Sequence, residues 1–296
     1  MRLHVIDGTY ELFRAHYSAR PEHEDRHGRP NKATYGVVAS LLALLHDASE
    51  DVTHIAVAFD NPIRSFRNDL FAGYKTEEGM DPILAAQMDA VEVAVRAIGV
   101  AVWSMKEHEA DDALATAAAR FGDQVDQVRL MTPDKDLGQC LRGQRVVQVD
   151  RKKGEVIDED GLVRLRGIGP GSIPSFLALV GDAADGIPGI PGFGEKTAAA
   201  LLAAHGTLEG IPRDVEAWGA KVRGAPRLSA TLRERWDDAL LYRKLATLVT
   251  DAPISATLDE VRYRGVPREA FRAWCEEAAS TALSSRPARW QDDAGS

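Results

Sequence analysis

Cysteine is scarce, bases are outnumbered, and no apolar run is long. Only 2 cysteines occur among 296 residues, Cys140 and Cys275, which leaves no disulfide framework and no cysteine zinc spacing and fits a reducing compartment. No stretch reaches the roughly 18 apolar residues of a membrane helix, and MRLHVIDGTYELF meets an acid before a signal-peptide core can form. A cytoplasmic location with no membrane partner is the expectation. Lys and Arg number 36 against 45 Asp and Glu, a formal charge of −9. Spread over a surface, that balance disfavours a nucleic-acid partner, whose phosphates attract bases. It misleads when acids are gathered round bound cations. Hydrophobic residues at 45% still provide for a sizeable globular core.

Strands and helices alternate through the first half. LHVID (3–7), HIAVAFD (54–60), GVAVWS (99–104), VDQVRLMT (125–132) and QRVVQVD (144–150) read as strands. TYGVVASLLALLHD (34–47), DPILAAQMDAVEVAVRAIG (81–99) and EADDALATAAARF (109–121) read as helices, and DLGQCL (136–141) opens another. That order predicts an α/β unit over residues 1–165, a mostly parallel sheet flanked by helices, because parallel neighbours need crossovers of this length. Residues 167–206 then turn dense in glycine and proline around two short helical runs, FLALVG and EKTAAALLAAHG. A helical domain over 166–285 and a loose tail over 286–296 complete the expected division.

Acids recur where strands end. Asp7 and Asp60 each close an apolar run, and Asp134 and Asp136 in TPDKDLGQ follow another, so they share the carboxyl edge of one sheet, where α/β proteins place their sites. HEADDALA adds Glu109, Asp111 and Asp112 at a helix start, and GDAADG adds Asp182 and Asp185. Each of these acids alone is an ordinary cap or turn residue. Nine together cannot converge without cations. Oxygen ligands with no Cys or His cluster select Mg or Mn over zinc, and two such ions about 4 Å apart suit phosphodiester hydrolysis. Neutralising the nine brings the formal charge from −9 to about zero, so the remaining surface need not repel DNA.

The acidic pattern, with FDNPIRSFRNDLFAGYK and GIPGIPGFGEKTA, resembles the bacterial 5′-nuclease family of flap endonucleases and polymerase-linked 5′-3′ exonucleases, over about residues 3–260. The resemblance implies a PIN-like domain binding two divalent cations. Asp7, Asp60, Glu109, Asp111 and Asp134 would serve the first ion, Asp136, Asp182 and Asp185 the second, with Asp112 between. It implies catalytic roles for Asp134 and Asp136 and for Arg67 and Lys75 over the scissile phosphate, and an arch over about 70–95. It also implies a helix-hairpin-helix element over 173–206, where Gly189, Gly192, Phe193, Gly194, Lys196 and Thr197 meet a DNA duplex and a potassium ion. Partners would be branched or 5′-flapped DNA, nicked or gapped duplex and RNA-primed DNA, met by a stand-alone monomer at a bacterial nucleoid. His108 and Gly138 depart from the family's aromatic residues, and residues 76–88 carry no Lys or Arg. An inactive DNA-binding paralogue and a PIN-type ribonuclease remain open alternatives.

Overall fold

Two-residue periodicity builds the centre of the protein. The computed structural model describes residues 1–219 and 222–292. In strand β1 (Arg2–Asp7), Leu3 and Val5 enter one core while Ile6 enters another, so the strand is covered on both faces, as parallel sheets are. The chain continues through α1 (Gly8–His16), α2 (Lys32–His46), β2 (His54–Asp60), α3 (Arg67–Leu70), α4 (Pro82–Ala85), α5 (Met88–Ala97), β3 (Ala101–Met105), α6 (Ala110–Phe121) and β4 (Gln127–Met131). A 3-10 segment, Lys135–Cys140, leads to β5 (Val146–Asp150) and β6 (Glu155–Ile157). The helical part holds α7 (Glu159–Arg166), α8 (Ile173–Val180), α9 (Glu195–His205), α10 (Ala225–Glu234) and α11 (Trp236–Ala246), and α12 (Arg268–Glu277) follows. No helix among the described residues is long and apolar enough to cross a membrane.

The sheet order is β3-β2-β1-β4-β5-β6, parallel except for the β6 edge. From β1 the chain builds outward to β2 and β3 on one side, then returns to build β4 and β5 on the other. That reversal opens a crevice at the carboxyl ends of β1 and β4. Asp7 ends β1, Asp60 ends β2, and Asp134 lies just past β4.

All five expected strands form, with shifted ends. The expected helix over 81–99 is broken instead into α4 and α5, because Gln87 turns inward: its Oε1 accepts from the backbone N–H groups of Ala33 and Thr34, both at 3.1 Å, and so caps α2. The expected arch shrinks with it, since Leu84 is fully buried and α5 lines the core beside α2. The connection 76–80 lines the crevice. Unanticipated elements include the edge strand β6, the short helices α3 and α7, and helix α1, which starts where Asp7 Oδ1 accepts from Tyr10 N at 2.8 Å.

The domain division also changes at its end. Residues beyond about 250 return to the α/β unit: Tyr263 N donates to Thr53 O at 3.0 Å, and Phe271, Cys275 and Leu283 enter the core formed by α1, α2 and α5. The expected tail is partly ordered, since Gln291 N bonds Val266 O at 3.0 Å and Trp290 packs with Phe271; residues 293–296 lie outside the described residues. The physical reason is amphipathicity: α12 presents Phe271 and Cys275 inward, one turn apart. Phe271→Ala should therefore destabilise the protein by ~3–5 kcal/mol, read by denaturant unfolding, and a loss below ~1 kcal/mol would show that this segment is not part of the core.

Candidate metal centre

Strand ends and helix starts deliver the acids to one cleft of about 810 Å³, lined among others by Asp7, Asp60, Asp111, Asp134 and Asp182 with Lys75 and Lys135. Caps orient them. Asp7 spends Oδ1 on the start of α1, and its Oδ2 accepts from Thr132 Oγ1 at 3.2 Å, tying β1 to β4. Asp60 Oδ1 accepts from Ala110 N at 2.6 Å at the start of α6. Asp134 Oδ1 accepts from Asp136 N at 2.9 Å, and Gln148 Nε2 donates to the Asp134 carbonyl. The cap and cation readings are thus compatible, since a carboxylate has two oxygens.

Burial and mutual repulsion raise these acids. Burial and then the Asp60 charge push Asp7 up to about 7. Burial, then Asp134 and Asp7, push Asp111 well above the usual range, and burial, then Asp134, Asp185 and Asp182, do the same to Asp136. Asp134 is raised by burial first and by Asp185 next. Asp111 Oδ1 and Asp136 Oδ1 are buried with no hydrogen-bond partner, and one oxygen from each of Asp136, Asp182 and Asp185 falls within 4.8 Å of the others. Orphaned buried oxygens beside converging carboxylates fit hard divalent cations.

A loop-on-loop contact sets the third of these acids in place. Asp182 and Ile187 exchange backbone hydrogen bonds at 2.8 Å, closing GDAADG into a tight loop. Gly186, at φ +75, lets that loop dock, because a Cβ there would fall 2.1 Å from Gly73 O. Lys75 N then bonds Asp185 O at 3.0 Å. The Lys75 ammonium reaches Asp185 at 2.8 Å and Glu109 at 3.2 Å, while Lys135 reaches Asp182 at 2.9 Å. Lys135 and Thr132 were not singled out as site residues from the sequence; Lys135's position between Asp134 and Asp136 was the available signal.

Arg67 and Asp112 belong elsewhere. The expectation placed Arg67 over a phosphate and Asp112 between two ions, yet Arg67 is 1% exposed and its guanidinium is fully engaged inside the protein. It bonds Glu109 at 2.6 Å, Asp112 at 2.7 and 2.8 Å, and the carbonyls of Leu245 and Thr247 at 2.8 and 3.1 Å. Those contacts use all five donors. Asp112 also accepts from Glu109 N and Val249 N, and although burial pushes its carboxyl up, Arg67 holds it below the usual range. Glu109 accepts from Arg67, Tyr74 and Lys75, so it orients Lys75 from behind the cleft. A buried pair lacking free oxygens and free N–H groups cannot serve the substrate.

The hairpin divides similarly. α8 and α9 enclose the turn 181–194, as expected over 173–206. Phe193 is buried in the helical core, and Gly189, at φ +74, is packed so that a Cβ would lie 2.5 Å from Gly181 N. Both shape the turn, correcting their expected contact with DNA. Gly192, Gly194 and Lys196 are exposed, and Thr197 is half-buried beside them.

A family model described as "5′-3′ exonuclease, N-terminal resolvase-like domain" matches residues 2–166, and one described as "5′-3′ exonuclease, C-terminal SAM fold" matches residues 168–269. The chain belongs to the 5′-3′ exonuclease family. DNA polymerase I of Bacillus caldotenax is 34% identical over 281 residues, 93% of this chain and 31% of that protein. DNA polymerase I of Pseudomonas aeruginosa is 35% identical over 283 residues, 92% and 30%. The chain thus spans about 30% of the length of these relatives. The fold is that of the T5 5′-exonuclease solved with zinc ions (TM-score 0.65, 18% identity, 94% of this chain and 100% of that one). The catalytic core of Rad2 solved with a DNA substrate also shares it (TM-score 0.60, 13% identity, 96% and 92%).

Two outcomes follow from the charges. Asp7 has a folded value of about 7 against an ordinary 3.8, so without divalent cations the stability tied to its protonated form is present below the lower value and lost as pH rises through the higher. Asp7→Asn keeps the cap acceptor and should be ~1–3 kcal/mol more stable than the parent in chelator at alkaline pH. The gain should vanish in acid; a pH-independent difference in unfolding free energy would refute the assignment. Arg67→Ala strands Asp112 and Glu109 and should cost ~3–5 kcal/mol by the same measurement, whereas a cost under ~1 kcal/mol would mean the pair is not holding the fold.

Proposed function

We propose that the chain is a structure-specific DNA 5′-nuclease, a flap endonuclease and 5′-3′ exonuclease of replication and repair, working with two divalent cations, Mg or Mn. The observation that carries this reading is the convergence of Asp136, Asp182 and Asp185 beside the orphaned oxygens of Asp111 and Asp136. Asp7, Asp60, Asp111 and Asp134 would hold one cation, and Asp136, Asp182 and Asp185 the other. When bound, such cations supply an activated water at neutral pH and offset charge on the phosphate. Lys75 is one of the bases that line the cleft and is kept in place by Glu109 and Asp185; its ammonium would meet charge developing on the phosphoryl oxygens.

Gly192, Gly194, Lys196 and Thr197 would receive a duplex phosphate at the start of α9, where backbone N–H groups and the helix dipole favour an anion. The substrates are 5′-flapped, nicked or gapped DNA, with RNA-primed DNA included, at the nucleoid of a bacterium. The protein acts as a monomer, and the resemblance extends the cofactors to a potassium ion at the hairpin. Glu77 and Glu78 also line the cleft and add negative charge there, so recognition rests on the junction and its duplex rather than on a long flap.

The test is cleavage of end-labelled single strands, blunt duplexes, DNA flaps and RNA flaps, with Mg, with Mn and with chelator. Product should appear at the flap junction only with a divalent cation. Asp134→Asn with Asp136→Asn, which retains the capping acceptor, should leave a folded protein with turnover reduced by at least ~100-fold. Tight binding without product from the parent chain would favour the inactive paralogue, and near-parental turnover by the folded double variant would remove the assignment.

A further inference from the structure

Arg166 closes α7 at the meeting of two clefts. It lines the large cleft over the acids and also a groove of about 330 Å³ shared with Phe176 and with Glu195 and Lys196 at the start of α9. Three bases line the acid cleft, and two are neutralised: Lys75 by Glu109 and Asp185, Lys135 by Asp182. The Arg166 side chain makes no ion pair or hydrogen bond among the described residues. Its guanidinium instead lies over the Phe176 ring, 6.0 Å from the centroid.

A base in the last turn of a helix also suits the helix dipole. That accounts for an arginine at this sequence position but not for a half-buried guanidinium facing both clefts. Gly167, at φ +73, ends α7 immediately after it and turns the chain away, leaving the side chain on the rim. A planar fork supported by an aromatic face is well made for a phosphate, since it presents paired N–H donors in one plane.

We propose that Arg166 grips a backbone phosphate of the duplex between the metal centre and the hairpin, making it the positioning residue that sets duplex register across the two clefts. This rests on the nuclease reading above. The clefts hold Lys75 at one end and Lys196 at the other, so a duplex seated on both would pass Arg166. The ligand is DNA carrying a double-stranded segment, not a free single strand.

The experiment uses the full chain, a fluorescent 5′-flapped duplex and a single strand of the same length, with calcium as the cation and binding followed across a salt series. Among the described residues the Arg166 side chain has no partner to lose beyond the Phe176 ring, so Arg166→Gln should keep the parental melting temperature. It should weaken duplex binding by ~5–10-fold, lower the log–log salt slope by about 1, and leave single-strand binding unchanged. Arg166→Lys keeps the charge without the fork and should retain the slope; it also reads the proposal if the Gln variant fails to fold. An unchanged slope in the Gln variant, an equal loss on the single strand, or a slope lost equally in the Lys variant would each overturn the proposal. Absence of duplex binding by the parent would overturn it too. If the parent binds the flapped duplex yet gives no product with Mg, the nuclease reading fails while the Arg166 slope still decides; cleavage with an unchanged slope removes Arg166 alone.

Discussion

A single buried guanidinium joins the parts of this protein. Arg67 follows β2, bonds Glu109 and Asp112 among the acids that start α6, and takes the carbonyls of Leu245 and Thr247 at the end of α11. Asp112 extends the tie through Val249 N. One residue therefore holds the loop bearing Lys75, the helix bearing Asp111 and the helical domain in a common frame. Removing a charge from such a node leaves its partners buried and uncompensated, so the penalty exceeds any single contact.

That frame restrains an arrangement that would otherwise open. Asp7, Asp111, Asp134 and Asp136 are all raised by burial and then by neighbouring carboxylates. Lys75 and Lys135 offset part of the repulsion from inside. The backbone holds the rest by spending one oxygen of Asp7, Asp60 and Asp134 on caps. The cleft is stiff because each acid is tied to the start of an element, and it is receptive to cations because Asp111 and Asp136 keep unpartnered oxygens. Stability and cation affinity oppose each other here, a common feature of preorganised charge.

Apolar alternation and strand-end acids made much of this legible. β2 is buried along its length and reads as a near-continuous apolar run, β1 and β4 interleave apolar and polar residues, and Asp7, Asp60 and Asp134 stand at or just past the strand ends. The hairpin was legible because glycine and proline punctuate it. Less visible was the break at Gln87, whose amide caps a helix more than 50 residues earlier in the chain. The docking of α12 was equally hidden, since a short amphipathic helix does not say which core receives its face.

Taken alone, the order of residues determined the class of fold and the edge where acids gather, because these depend on local periodicity. Which acids face the cleft was decided only in three dimensions. Glu109, Asp111 and Asp112 are neighbours in one motif, yet Asp112 turns to Arg67, Glu109 turns to Arg67, Tyr74 and Lys75, and Asp111 alone keeps a free oxygen toward the site. The helix spaces these residues by about 100° apiece, so each meets a different neighbour, and those neighbours come from segments that only the folded chain brings together.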